Sequence, residues 1–113
     1  MSPVQSGSNR ILKLMGRHYT AERWSALMLD IYRNYPAIRL STQFMVGFPT
    51  ETEDDFAATL SLLDPPLRLD EAHIFRFSPR PTVAASRLPG QVPDDVKEAR
   101  AARLLSRFAR RRI

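Results

Sequence analysis

Hydrophobic side chains recur along the chain at two spacings, one helical and one strand-like. The longest helical pattern begins after Thr20, a residue type that caps helix N-termini, and it ends at Pro36. Its apolar residues fall every three or four positions and predict one buried stripe: Trp24, Leu27, Met28, Ile31, Tyr32 and Tyr35. A shorter helix is predicted after Ser8 or Asn9, with Gly16 as its terminator.

Two apolar runs predict β-strands. The first extends from Ile38 to Val46, and its continuous second half, Phe44-Met45-Val46, is typical of a strand covered on both faces. The second extends from Leu69 to Phe77. Because Pro3 to Gln5 has the pattern of a strand end, the sequence predicts two full strands and the end of a third.

A helix is predicted after each full strand. Thr52 is the expected N-cap of the first, with acids in its first turn where the helix dipole favours them. The second opens at Pro93, and its apolar side is formed by Val96, Ala99, Leu104, Leu105 and Phe108. Strands that alternate with helices predict an α/β fold with parallel strands. So small a sheet leaves edges and a face uncovered, which suggests part of a larger barrel or sheet.

Composition restricts the classes of function. The 113 residues are 43% hydrophobic and 26% charged, as expected for one soluble globular domain. The apolar runs are too short to span a membrane and the N-terminus has no secretory signal, so we expect a cytoplasmic location. The sequence has no cysteine, which excludes disulfides and any cysteine-ligated metal or cluster supplied by this chain. His18 and His73 lack metal-ligand spacing, and His73 is expected to be a packing residue in its strand.

The positive charge is concentrated at the C-terminal end. The formal net charge is +5, and residues 97–113 contain seven Lys or Arg residues against one acid. Such a cluster either attracts nucleic acid through phosphate contacts or forms a solvated helix face, and charge alone does not separate the two.

The candidate ligand site is the turn Gly47-Phe48-Pro49, between the first full strand and its helix. Open and barrel-like α/β folds bind ligands at the carboxyl ends of parallel strands, and glycine lets the backbone approach a ligand. The second strand leads into Ser78-Pro79-Arg80-Pro81, where prolines on both sides hold Arg80 in a defined direction. Arg80 is either a clamp for an anion or carboxylate or a surface residue in a rigid turn, with equal weight for each.

Three stretches in this order resemble the radical S-adenosylmethionine (SAM) methylthiotransferases that act on tRNA or on a ribosomal protein. Pro3 to Lys13 is similar to the family pattern LPxQSGSxRxLK, Ser41 to Phe56 to STDxIVGFPGETEEDF, and His73 to Pro81 to HxFxYSPRPGT. Within the family, Met15 to Thr20 and His73 to Ser78 look most like the branch that methylthiolates threonylcarbamoyladenosine beside the tRNA anticodon.

The resemblance implies the C-terminal part of a partial (β/α) radical SAM barrel over residues 1–93. A basic helix over residues 94–113 would then lead into an RNA-binding TRAM domain. The implied cofactors are SAM and a 4Fe–4S cluster, and the implied partner is tRNA. The residues expected on the SAM and substrate side are Gln5, Ser6, Gly47, Phe77 and Arg80. Those expected to contact nucleic acid are Arg107, Arg110, Arg111 and Arg112.

The sequence departs from the family pattern at several points. The CxxxCxxC loop that ligates the cluster is absent, Gln43 stands where the family usually has Asp, and Thr50 stands where it has Gly. We therefore expect a fragment of a tRNA methylthiotransferase that is inactive alone and lacks the N-terminal half of the enzyme. The alternatives are a small RNA-binding module that uses the basic C-terminal helix, and a degenerate product without function.

Overall fold

The computed structural model describes residues 4–64, 69–78 and 88–111, and for residues 110 and 111 it describes the backbone alone. Over these ranges the chain forms four helices and two strands. In chain order they are α1 (Asn9–Leu14), α2 (Ala21–Asn34), β1 (Ser41–Val46), α3 (Glu53–Ser61), β2 (Glu71–Arg76) and α4 (Asp94–Arg111). No helix in these ranges combines the length and the apolar character needed to cross a membrane.

Three predicted helix caps are confirmed. Ser8 begins α1, Thr20 begins α2 and Thr52 begins α3, and each side chain accepts a hydrogen bond from the backbone N–H three residues on. Gly16 follows α1 with a φ of +80°, the left-handed conformation of a helix terminator. The local sequence therefore determines where these helices begin, and where α1 ends.

The sheet has the predicted parallel arrangement. β1 pairs with β2 from Ser41 opposite Glu71 to Val46 opposite Arg76. A third segment runs parallel to β1 at Gln5, whose N–H donates to Gln43 O at 3.0 Å and whose carbonyl accepts from Met45 N–H at 2.9 Å. An α/β fold with two parallel strands is thus confirmed, and a short parallel bridge stands where the end of a third strand was predicted.

One face of this sheet carries the main core. Phe44 and Val46 of β1 are fully buried there. They form one cluster with side chains of α2, α3 and α4: Trp24, Met28, Phe56, Leu104 and Phe108. A smaller cluster at the carboxyl ends of the strands joins α1 to both strand exits through Ile11, Phe48 and Phe77.

The opposite face of the sheet is less covered, so the prediction that β1 is covered on both faces is met only in part: Met45 is half-buried there, packed against the smaller cluster. Burial alternates along β1, because successive side chains of a strand point to opposite faces and three helices pack on one of them. On β2 the open face carries Glu71, His73 and Phe75, all exposed. His73 is therefore not the packing residue that was expected.

The predicted apolar stripes are wider than the surfaces that they bury. In α2, Trp24 and Met28 are buried, but Leu27 is 53% exposed. Tyr35 is 67% exposed because it follows the last helical residue with non-helical dihedral angles and so leaves the stripe. In α4, Leu105 is 58% exposed, and cations occupy positions that the apolar pattern did not predict to be buried.

Candidate functional site

The turn after β1 is built around Gly47. Its φ is +77°, a conformation that side chains with a Cβ rarely adopt, and its N–H donates to Glu51 Oε1 at 2.8 Å. A Cβ on Gly47 would lie 2.3 Å from Cγ of Lys97, a residue of α4. Glycine is thus required here both by the backbone and by the close approach of α4.

Lys97 lies across the carboxyl ends of both strands. Its side chain is only 4% exposed, and its Nζ donates to Phe77 O at 2.8 Å. The same ammonium lies 5.4 Å from the centre of the Phe77 ring, and that ring meets Phe48 edge-on at 5.4 Å. One lysine therefore contacts the exit of β1 through its stem and the exit of β2 through its charge.

Arg100, one helical turn after Lys97, forms a buried ion pair with Glu51. Arg100 Nη1 donates to Glu51 Oε1 at 2.8 Å and to Glu51 O at 3.1 Å, and the two side chains are 7% and 0% exposed. Burial raises the pKa of the Glu51 carboxyl above its usual range, against the opposing effects of Gly47 N–H and Arg100. Glu51 Oε2 and Arg100 Nε have no hydrogen-bond partner among the described residues, so the pair is held through one carboxylate oxygen.

A second polar cluster joins the segment after Gln5 to α3. Asp55 accepts from Ser8 Oγ at 2.7 Å, from Thr52 N–H at 2.9 Å and from the Arg10 guanidinium. Burial raises the pKa of the Asp55 carboxyl, but the hydrogen bonds outweigh burial and hold the pKa well below its usual range. The acids at the start of α3, predicted to serve helix electrostatics, also bind these neighbouring segments.

Thr50 adopts a left-handed backbone with φ of +71°. This conformation explains why the family pattern has glycine at this position. Hydrogen bonds stabilise this strained backbone conformation. Arg10 donates to Thr50 O at 2.6 Å and to Thr50 Oγ1 at 3.0 Å, and Thr50 N–H donates to Gly90 O at 2.8 Å.

The described residues predicted for the SAM side lie at one edge of the sheet. Gln5 pairs with Phe44 near the end of β1, Gly47 follows β1 directly, and Phe77 N–H donates to Val46 O at 2.9 Å. Gln5 and Phe77 are each 6% exposed and Ser6 is fully buried. Arg80 lies outside the described residues. Whether this edge binds SAM stays a prediction.

These residues differ in what they could offer a ligand. Ser6 Oγ is engaged by the Thr59 hydroxyl at 3.3 Å and by Ser8 N–H at 3.0 Å, so it serves the fold. The Gln5 carboxamide makes no hydrogen bond within the described residues. The aromatic pair Phe48 and Phe77 at this edge could pack against a partly aromatic ligand such as SAM. The 4Fe–4S cluster does not fit, because the chain has no cysteine to ligate it.

The basic residues of α4 are mostly engaged within the chain. Arg107 Nη2 donates to Asp64 Oδ1 at 2.6 Å, and Arg103 pairs with Glu53 at 3.1 Å. Arg110 and Arg111 lie in the last turn of α4, where only the backbone is described, and Arg112 lies outside the described residues. Their binding to nucleic acid stays a prediction.

Lys97 and Arg100 were not predicted from the sequence to be parts of this edge. Both were counted within the basic C-terminal cluster. The signal that could have found them is spacing: Lys97, Arg100, Leu104 and Phe108 recur every three or four residues and share one face of the helix.

Comparison with known proteins agrees with the methylthiotransferase resemblance. The chain is 48% identical over 103 residues to the tRNA-2-methylthio-N(6)-dimethylallyladenosine synthases of Moorella thermoacetica and Aquifex aeolicus. It is 43% identical over 102 residues to the enzyme of that name from Ehrlichia canis. These alignments cover 90–91% of this chain but only 23% of each relative, so the chain spans about a quarter of their length. No protein-family model matches the chain.

The names of these relatives bear on the predicted branch. They specify dimethylallyladenosine, whereas the motifs were interpreted as closest to the threonylcarbamoyladenosine branch. The branch named by the relatives and the branch predicted from the motifs both methylthiolate an adenosine of tRNA. The threonylcarbamoyladenosine assignment is not confirmed.

Proposed function

We propose that this chain forms the SAM-side part of a radical SAM methylthiotransferase that modifies an adenosine of tRNA beside the anticodon. The observation that carries the proposal is 48% identity over 91% of the chain to synthases of 2-methylthio-adenosines in tRNA. The names of the relatives favour dimethylallyladenosine as the modified base. The motif interpretation that favoured threonylcarbamoyladenosine rests on two short segments.

The chain's own residues would bind and orient SAM. The backbones of Gln5, the Gly47 turn and Phe77 lie at the carboxyl edge of the sheet, where α/β folds bind ligands. When bound, SAM and a 4Fe–4S cluster supply the radical chemistry, and the protein positions them.

The cluster ligands would come from residues outside this sequence, because the sequence contains no cysteine. Those residues would include the CxxxCxxC segment of the enzyme. The chain alone is therefore proposed to bind SAM without turning it over.

Reconstitution tests both halves of the proposal. The purified chain would be titrated with SAM by calorimetry and then incubated with SAM, tRNA and a reductant. Binding without 5′-deoxyadenosine is the expected result, and 5′-deoxyadenosine from the chain alone would contradict the proposed inactivity. Adding the Moorella thermoacetica enzyme with its matching 103 residues deleted should restore methylthioadenosine in tRNA. That truncated enzyme without the chain is the control, and no restoration would refute the assignment.

The RNA-binding alternative has less support. It depends on free cations along α4, but the side chains of Lys97, Arg100, Arg103 and Arg107 are each engaged by acceptors of the same chain. Salt-dependent RNA binding lost on neutralising Arg110, Arg111 and Arg112 would favour it.

A further inference from the structure

Two cations occupy the buried side of α4, where an amphipathic helix ordinarily places apolar residues. Lys97 is 3% exposed and Arg100 is 5% exposed, and they precede Leu104 and Phe108 on the same face. Burying a lysine or arginine costs free energy, because the charge loses its hydration. An apolar residue of similar length would fill the same space without that cost, so packing alone does not explain the two cations.

Unlike an apolar side chain, a buried cation can also donate a directed hydrogen bond. Lys97 Nζ donates to the carbonyl of Phe77, the residue at the exit of β2, and its stem closes over Gly47 at the exit of β1. A carbonyl that accepts a bond from a buried ammonium is fixed in orientation. Lys97 therefore ties the two strand exits to one point on α4.

Arg100 holds the β1 exit through a second connection. Its guanidinium donates to both the carboxylate and the carbonyl of Glu51, and the same carboxylate oxygen accepts Gly47 N–H at 2.8 Å. The Glu51 carboxylate thus closes the turn from Gly47 to Glu51 by accepting Gly47 N–H. Arg100 of α4 holds that carboxylate in place.

We propose that Lys97 and Arg100 are positioning residues that set the relative placement of the β1 and β2 exits for SAM binding. The SAM part of this inference rests on the proposed function. The two residues do not touch SAM; they act through Phe77, Gly47 and Glu51. The basic character of the first half of α4 then serves the ligand edge and not nucleic acid.

Three variants of the full 113-residue chain test the inference. Lys97→Met keeps a stem of similar length and removes the charge, and Arg100→Met does the same at the second position. Arg103→Met is the matched control, because Arg103 lies on the same helix, is 54% exposed and pairs with Glu53, not with Glu51 or Phe77. Glu53 also lies 3.5 Å from Arg100 Nη2, so the control includes the effect of removing one partner of that shared acid.

Two NMR readouts report on the exits without any ligand. Lys97→Met should shift the amide signal of Ser78, whose peptide group contains the Phe77 carbonyl. Arg100→Met should speed hydrogen exchange of the Gly47 amide by at least about tenfold, the factor given by losing about 1.4 kcal/mol. Arg103→Met should change neither. Unchanged Ser78 and Gly47 signals in the methionine variants would overturn the inference.

SAM affinity is the third readout. The Kd should rise at least about tenfold in each of the two test variants, which corresponds to about 1.4 kcal/mol, and less than about twofold in the control. Changed NMR signals together with an unchanged Kd would overturn the role in SAM binding. If the unaltered chain binds no SAM, the proposed function fails, while the NMR readouts still decide whether the cations hold the exits.

If a methionine variant does not fold, the unaltered chain still tests the hydrogen bond between Lys97 and Phe77. A buried, hydrogen-bonded ammonium exchanges slowly, so the Lys97 Nζ protons should be visible by NMR with a cross-peak to the Phe77 carbonyl carbon. An ammonium without that cross-peak would count against the inference.

Discussion

Replacing Gly47 by alanine should be one of the most damaging single changes in this chain. Two costs add at this position. The left-handed backbone, with φ of +77°, costs a residue with a Cβ about 1–2 kcal/mol. The new Cβ would also lie 2.3 Å from Lys97 Cγ, and relieving such overlap in a packed site costs about 1–3 kcal/mol. The expected loss in the free energy of unfolding is their sum, about 2–5 kcal/mol.

Gly16 provides the matched control, because it has almost the same dihedral angle in open space. Its φ is +80°, and a Cβ there would meet no atom within 4 Å. Gly16→Ala should therefore show the backbone cost alone, about 1–2 kcal/mol. Urea unfolding followed by circular dichroism gives both values, and their difference isolates the contact with Lys97.

A double-mutant cycle identifies the residue that causes the steric cost. With Lys97→Ala in the background, the stem is gone, so Gly47→Ala should cost about 1–3 kcal/mol less than in the unaltered chain. The effect of losing the bond to Phe77 O is present on both sides of the cycle and cancels. Equal costs for Gly47→Ala and Gly16→Ala, together with a coupling energy near zero, would refute the packing of Lys97 against the turn.

Three further predictions follow from contacts elsewhere in the molecule. Asp55→Asn should lower the free energy of unfolding by about 1–3 kcal/mol near neutral pH. The pKa of Asp55 is lower in the folded state than its unfolded value of about 3.9. The difference in the free energy of unfolding between the unaltered chain and Asp55→Asn should therefore shrink as pH falls below about 4. A difference that is unchanged near pH 3 would contradict the pairing with Arg10. Gly7→Ala should cost about 1–3 kcal/mol or more in urea unfolding, since its Cβ would lie 2.3 Å from the backbone oxygen of Ala58; a neutral result means that the α3 contact is absent. Arg107→Gln should change the slope of log K against log salt for single-stranded RNA by much less than the 0.7 or so of a full phosphate contact, because Asp64 already neutralises it, and a full change contradicts that pairing.

The local elements could be predicted from the sequence because their signals are local. The caps at Ser8, Thr20 and Thr52 and the terminator Gly16 each act within a few residues of themselves. The alternation of strands with helices likewise predicted the parallel pairing of β1 with β2.

What the sequence could not supply is which long-range partner each residue meets. The apolar run Phe44-Met45-Val46 looks the same whether one or both faces of a strand are covered, and the packing of three helices on one face decided it. Lys97 and Arg100 look like surface charge, because their acceptors, Phe77 O and Glu51, lie 20 and 49 residues away. The candidate edge was thus predicted from the strand exits, but the helix that closes it was not.

The distance along the chain between Glu51 and Arg100 has a consequence for how the molecule acquires its ligand edge. Contacts between residues 49 positions apart close a long loop, and that entropy is lost before the contacts form. The Gly47 turn therefore takes its final geometry only after α4 has been synthesised and has docked. During synthesis the strands emerge first, and the edge that they present becomes ordered last.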